Sequence, residues 1–130
     1  MLSTDYFNYP YAEVNKGIDT LLAVQGFLNA GVSKAKQILI SLKQLYGANS
    51  TRLFVAEGKD IYKISILQNG FEIGNVYYMP GERRLDVWDS YNSGGPLFQF
   101  RGKNAVYSGC SPLMAGAGAE KLWQKLSGVL

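Results

Sequence analysis

The chain has 130 residues, 47% of them apolar and 18% charged, a size and balance that suit one domain closing one hydrophobic core. Disorder is excluded, because disordered chains are apolar-poor and charge-rich. Thirteen basic residues against 10 acidic give a formal charge of +3, too even a balance to demand a polyanion, since nucleic-acid binders concentrate Lys and Arg.

The chain contains no histidine. Ser-His and Cys-His nucleophile pairs, the usual near-neutral general base and imidazole metal ligands are therefore all removed. The single cysteine, Cys110, leaves no intramolecular disulfide and no tetrahedral zinc site on nitrogen and sulfur. The expectation is a chain with no cofactor and no metal, working in a reducing compartment and leaning away from catalysis. Residues 1–10 carry no basic n-region, and no apolar run approaches the roughly 18 residues that a membrane span needs. The expected address is the cytoplasm, or a virion assembled there, with no membrane partner.

No repeat, low-complexity tract or linker divides residues 1–130, so the reading is one α+β domain. Residues 1–10 form an aromatic N-terminal arm, with Tyr6, Phe7 and Tyr9 followed closely by Tyr11. Val14, Ile18, Leu21, Leu22, Gln25 and Leu28 then recur at helical spacing. Gly31 is placed to end that helix, and Ser33 to cap a second one through its hydroxyl. Ala35, Ile38, Leu39, Leu42, Leu45 and Tyr46 repeat the stripe up to Gly47. A connection as short as 30–32 predicts an N-terminal αα-hairpin.

From Thr51 the period changes to two, which predicts an antiparallel β-meander of four to six strands. Leu53 and Val55 lead through a turn at 57–60 to Tyr62, Ile64 and Ile66. Asn69-Gly70 is a tight-hairpin dipeptide, because both residues tolerate positive φ. Phe71–Met79 follows, with a bulge predicted at Gly74, and Pro80-Gly81 turns the chain again. Leu85 and Val87 alternate with Arg84, Asp86 and Trp88; shorter strands are expected at 97–101 and 105–108. Ser111-Pro112 opens a C-terminal helix carrying Ala115, Ala119, Leu122, Trp123 and Leu126.

Several features could carry chemistry. Cys110, just before the last helix, reads as a reactive thiolate or as a small apolar side chain at a corner. The glycine-rich stretches 93–96 and 116–118 lack the Lys-Ser or Lys-Thr ending of a phosphate loop. Glu82, Asp86 and Asp89 lack the spacing of a calcium loop. Carboxylate chemistry needs only two placed acids, but the acids here are scattered.

If Leu85 and Val87 face the core, then Arg84, Asp86 and Trp88 face the other side of the sheet, with Arg52, Lys63 and Arg101 from neighbouring strands. A tryptophan among arginines is the profile of an interface anchor. The same set could stack bases and bind phosphates, and the alternative is that Trp88 covers a second small core. The arm, Tyr6, Phe7, Tyr9 and Tyr11, is too aromatic to hang free and must dock either on its own domain or on a neighbouring subunit.

The leading expectation is a non-catalytic protein-interaction or assembly protein whose partner is another protein or copies of itself. A structural subunit of viral or mobile-element origin, an inhibitor and an adaptor all fit. The alternative is a histidine-free protein that binds or cleaves RNA, with Arg83, Arg84, Arg101 and Tyr107 holding a phosphate.

Overall fold

The computed structural model describes residues 5–13, 29–56, 59–90, 98–101, 104–107, 121 and 124–128. Where the sequence alternates with period two, strands form. They are β1 (Tyr11–Glu13), β2 (Thr51–Ala56), β3 (Tyr62–Gln68), β4 (Phe71–Met79), β5 (Arg84–Asp89), β6 (Phe98–Arg101) and β7 (Asn104–Tyr107). They pair in sequence order into one seven-stranded sheet, antiparallel throughout. From β2 to β7 the links between neighbours are short and leave no room for a parallel crossover. Strands β2 to β7 are the predicted meander at its upper limit, and β1 adds a further strand on the outer edge of β2.

Among the described residues the helix α1 (Asn29–Tyr46) packs on the sheet against β2 and β3. Ala35, Ile38 and Leu42, three and four residues apart, are fully buried against the sheet. They meet Leu53, Val55, Ile64, Ile66, Val76, Leu85 and Val87 in the main core, which Leu126 of the helical segment 124–128 also enters. Burying side chains of this size stabilises the fold by about 1.5–3 kcal/mol each. Inside this core Tyr62 and Tyr78 are direct cross-strand partners, with ring centroids 6.2 Å apart.

The predicted αα-hairpin needs correction. α1 runs unbroken through Gly31 and Ser33, so 30–32 is helix rather than a connection, and Ser33 lies within the helix rather than before it. A glycine costs a helix only about 1 kcal/mol relative to alanine, and the buried stripe of α1 outweighs that. The helix expected over residues 14–28 lies outside the described residues, as do Cys110, the glycine-rich stretches and the start of the C-terminal helix. Gly47 does stop α1: at φ 108° it adopts a conformation that side-chain-bearing residues resist, and its N–H bonds the Lys43 carbonyl at 2.8 Å.

The β3–β4 hairpin turns on Asn69 (φ 53°) and Gly70 (φ 81°), the positive-φ pair of a tight turn. The bulge lies next to Gly74. Ile66 pairs with Gly74 and Leu67 with Glu72, so Ile73 is the extra residue. The bulge lets Ile73 join Val76 and Tyr78 in the core although simple alternation would turn it away.

Candidate functional site

Alternation along β5 sends Leu85 and Val87 towards α1 and places Arg84, Asp86 and Trp88 on the opposite face of the sheet. On that face β4 contributes Tyr77 and Met79, which pair directly with Asp86 and Arg84. An N-terminal 3-10 turn, Asp5–Asn8, lies over these residues. Tyr6, Tyr77 and Met79 form a second, smaller buried cluster, with Tyr9, Tyr11, Ile61 and Trp88 packed around it.

At its centre is an ion pair made within one strand. Residues two apart on a strand share a face, so the Arg84 guanidinium reaches its neighbour directly. Nη2 donates to Asp86 Oδ2 at 2.6 Å, and Nε lies 3.1 and 3.0 Å from the two carboxylate oxygens. Both side chains are buried, Arg84 at 2% exposure and Asp86 at 0%. A buried pair of this kind holds only when hydrogen bonds satisfy its remaining capacity. Tyr6 supplies one, its hydroxyl donating to Asp86 Oδ2 at 2.6 Å. The same hydroxyl accepts from Trp88 Nε1 at 2.8 Å. One phenol thus joins a carboxylate and an indole, across 80 and 82 positions of sequence.

Ring contacts complete the seat. The Tyr6 ring lies 4.5 Å from Tyr77 and 4.8 Å from Phe7, with the Arg84 guanidinium carbon 5.4 Å from its centre. Phe7 meets Tyr77 and Trp88 edge-on at 5.1 and 4.7 Å yet remains 42% exposed. Further along the segment, the Tyr11 hydroxyl donates to the Tyr6 carbonyl at 2.8 Å, and Tyr11–Glu13 joins the sheet in register with Phe54–Ala56. Cations ride on the flanking rings: Lys59 on Tyr9 at 4.8 Å, and Lys63 on Tyr11 and Phe54 at 5.6 and 5.3 Å. Arg52 lies 3.9 Å from Glu13.

Electrostatics hold both hydrogen-bonding partners of Asp86 in their protonated forms. Burial pushes the Tyr6 phenol far above its ordinary value, and the hydrogen bond to Asp86 and its charge push it further in the same direction. The phenol therefore stays neutral and is a poor base and a poor nucleophile at neutral pH. For Arg84, burial works against the charge, but the bond to Asp86 and its negative charge prevail and hold the guanidinium protonated. Among the described residues, no group of three or more His, Cys, Asp or Glu is placed to hold a metal ion. No helix among them is long and apolar enough to cross a membrane.

Two sets of residues that the sequence presented as separate candidates are therefore one site. The arm residues Tyr6, Phe7, Tyr9 and Tyr11 dock on the face that bears Arg84, Asp86, Trp88 and Lys63. Trp88 packs against the second small core. Arg84 and Asp86 are sealed, and Trp88 is half-buried under the chain's own N-terminal segment. Arg101 pairs in register with Arg84 but is exposed and bonds Gln99 at 3.2 Å, while Arg52 stands exposed on β2 beside Glu13. Of Arg83, Arg84 and Arg101, the arginines expected to hold a phosphate, Arg84 is buried and bonded to Asp86. Tyr107 lies in β7, opposite Phe98.

Tyr77, Met79 and Ile61, the floor of the site, were missed by sequence reasoning. A signal existed: Tyr77 and Met79 alternate with the core residues Val76 and Tyr78, and an apolar pair on the outward face implies a cover. No family model, no curated protein and no solved structure matches this chain.

Proposed function

We propose that this chain is a non-catalytic protein-interaction or assembly protein, acting through the sheet face opposite α1. The observation that carries this reading is Phe7, a large aromatic ring left 42% exposed on a floor of Tyr77 and Trp88, on a segment whose other rings, Tyr9 and Tyr11, carry Lys59 and Lys63. Apolar rings ringed by polar and charged groups are the make-up of a protein interface, with aromatic and Arg anchors inside a polar rim. A buried ion pair spent on fixing one short segment is consistent with a face whose shape must be held for recognition. A structural subunit, an inhibitor or an adaptor would each use such a face.

The test is the native mass of complexes recovered from cells that make the full chain, compared with a Phe7→Ser variant. Tyr6 keeps its bonds in that variant, so the seat of the arm survives. Wild-type protein should be recovered in complexes above the 14.3 kDa of a single chain, and the folded variant should lose its partner. Recovery of wild type only as a free single chain would remove the reading.

A second reading is favoured by one specific feature, the lysines stacked on Tyr9, Tyr11 and Phe54. Interleaved cations and rings also suit a single-stranded nucleic acid. Binding to mixed RNA that is tight at low salt and falls steeply as salt rises would favour that reading over the first.

A further inference from the structure

The contacts of the N-terminal segment divide cleanly into two sides. Everything that is held comes from residues 5–13. Among the described residues, what holds it comes from residues 52–88: the edge of β2, the stacked lysines, and the seat built by Tyr77, Met79, Arg84, Asp86 and Trp88. The two sides are joined by hydrogen bonds, ring contacts and strand pairing.

The recognition is that of a peptide by its receptor. Strand addition to β2 sets the direction and register of the segment, Tyr11 against Ala56 and Glu13 against Phe54. Such pairing lends affinity through the main chain, while pockets for individual side chains lend specificity. Here the pocket is the seat of Tyr6. It demands a ring for Tyr77 and a hydroxyl that donates to Asp86 while accepting from Trp88. A phenylalanine satisfies only the first requirement. Arg52, facing Glu13 at 3.9 Å, adds a charge at the far end.

The seat also needs an occupant. Uncovered, it would present Tyr77, Met79 and Trp88 as an apolar patch beside an ion pair short of one hydrogen bond. The sequence that meets every one of these requirements is this chain's own Asp5–Glu13, and each further copy carries the same segment.

We infer that the face of β2–β5 is a receptor for residues 5–13 of a second copy of this chain, so that copies are joined by exchange of their N-terminal segments. The inference rests on the assembly reading above and names its partner. Exchange of an identical element costs no contacts, because each contact made within one chain is remade between two. What decides between the two is concentration. A tethered segment competes at an effective concentration of about millimolar, so exchange is favoured where copies are crowded, as in an assembly.

The experiment uses the full-length Tyr6→Ala chain, whose own segment lacks its anchor while the seat is intact. A fluorescently labelled peptide spanning residues 1–13 is titrated into it and followed by anisotropy. Saturable binding is expected, weaker by about tenfold or more for the peptide carrying Tyr6→Phe, which loses a hydrogen bond to a charged group. Full-length Tyr6→Phe, which keeps the ring, serves as receptor should Tyr6→Ala fail to fold by circular dichroism. No binding to the folded receptor would overturn the inference. So would equal binding of the wild-type and Tyr6→Phe peptides, or of a scrambled peptide, since each would mean contact without recognition. If Phe7→Ser costs the chain a partner in cells while the peptide does not bind, the surface reading stands and the copy-to-copy inference falls.

Discussion

Replacing Tyr6 by phenylalanine removes a single oxygen atom and should release the N-terminal segment. The ring would keep its place 4.5 Å from Tyr77, so the packing loss is small. The loss falls on two hydrogen bonds, one from the phenol to Asp86 at 2.6 Å and one from Trp88 to the phenol at 2.8 Å. A bond to a charged group is worth about 1.5–3 kcal/mol and a neutral one about 0.5–1.5 kcal/mol. Asp86 is fully buried, so water cannot replace its lost donor, whereas half-buried Trp88 can be partly rehydrated. The expected cost is therefore about 2–4 kcal/mol in the docking of the segment. Hydrogen exchange at the amides of β1, set beside urea unfolding of the whole chain, separates release of the segment from global unfolding. A double-mutant cycle with Trp88→Phe should show a coupling of about 1 kcal/mol, since both changes break the same bond. Unchanged protection of the β1 amides in Tyr6→Phe would refute the reasoning, because it would mean that the phenol carries no part of the docking.

Three further outcomes follow from the same geometry. Arg84→Met, which leaves Asp86 buried without its cation, should cost about 3–5 kcal/mol in urea unfolding, and Arg84→Met with Asp86→Leu should recover part of that loss; a double variant less stable than both singles would contradict the account of the pair. Gly70→Ala places a methyl group where nothing lies within 4 Å, but at φ 81°. It should cost about 1 kcal/mol through backbone strain alone, and an unchanged melting temperature would show that the turn tolerates the residue. Stability should also fall in alkali. Burial raises the phenols of Tyr6, Tyr62, Tyr77 and Tyr78 above the ordinary value of 10. Below pH 10 both the folded and the unfolded chain hold these protons, and the full stability is present. Above it the unfolded chain ionises first, so stability drops by about 1.4 kcal/mol per pH unit for each such tyrosine. A urea midpoint that stays constant from about pH 9 to pH 11 would contradict the burial of these hydroxyls.

The sequence by itself determined the elements whose signal is local. Period-two runs marked β2 to β5, Asn69-Gly70 marked its hairpin, and the stripe Ala35, Ile38, Leu42 marked the buried side of α1, because a strand face and a helix face repeat within a few residues. The alternation of Leu85 and Val87 with Arg84, Asp86 and Trp88 likewise placed the two sides of β5 correctly. The start of α1 was misread, since Gly31 and Ser33 carry a boundary signal that helix packing can override. What only the tertiary structure decided is what lies on the far side of the sheet. Whether Asp86 faces water or a phenol depends on a contact 80 positions away, and nothing in the spacing of either residue encodes it. Arm and face were each legible as unusual. That they are two halves of one seat is a property of the folded chain, where burial turns an arginine, an aspartate and a tyrosine into a single fastening.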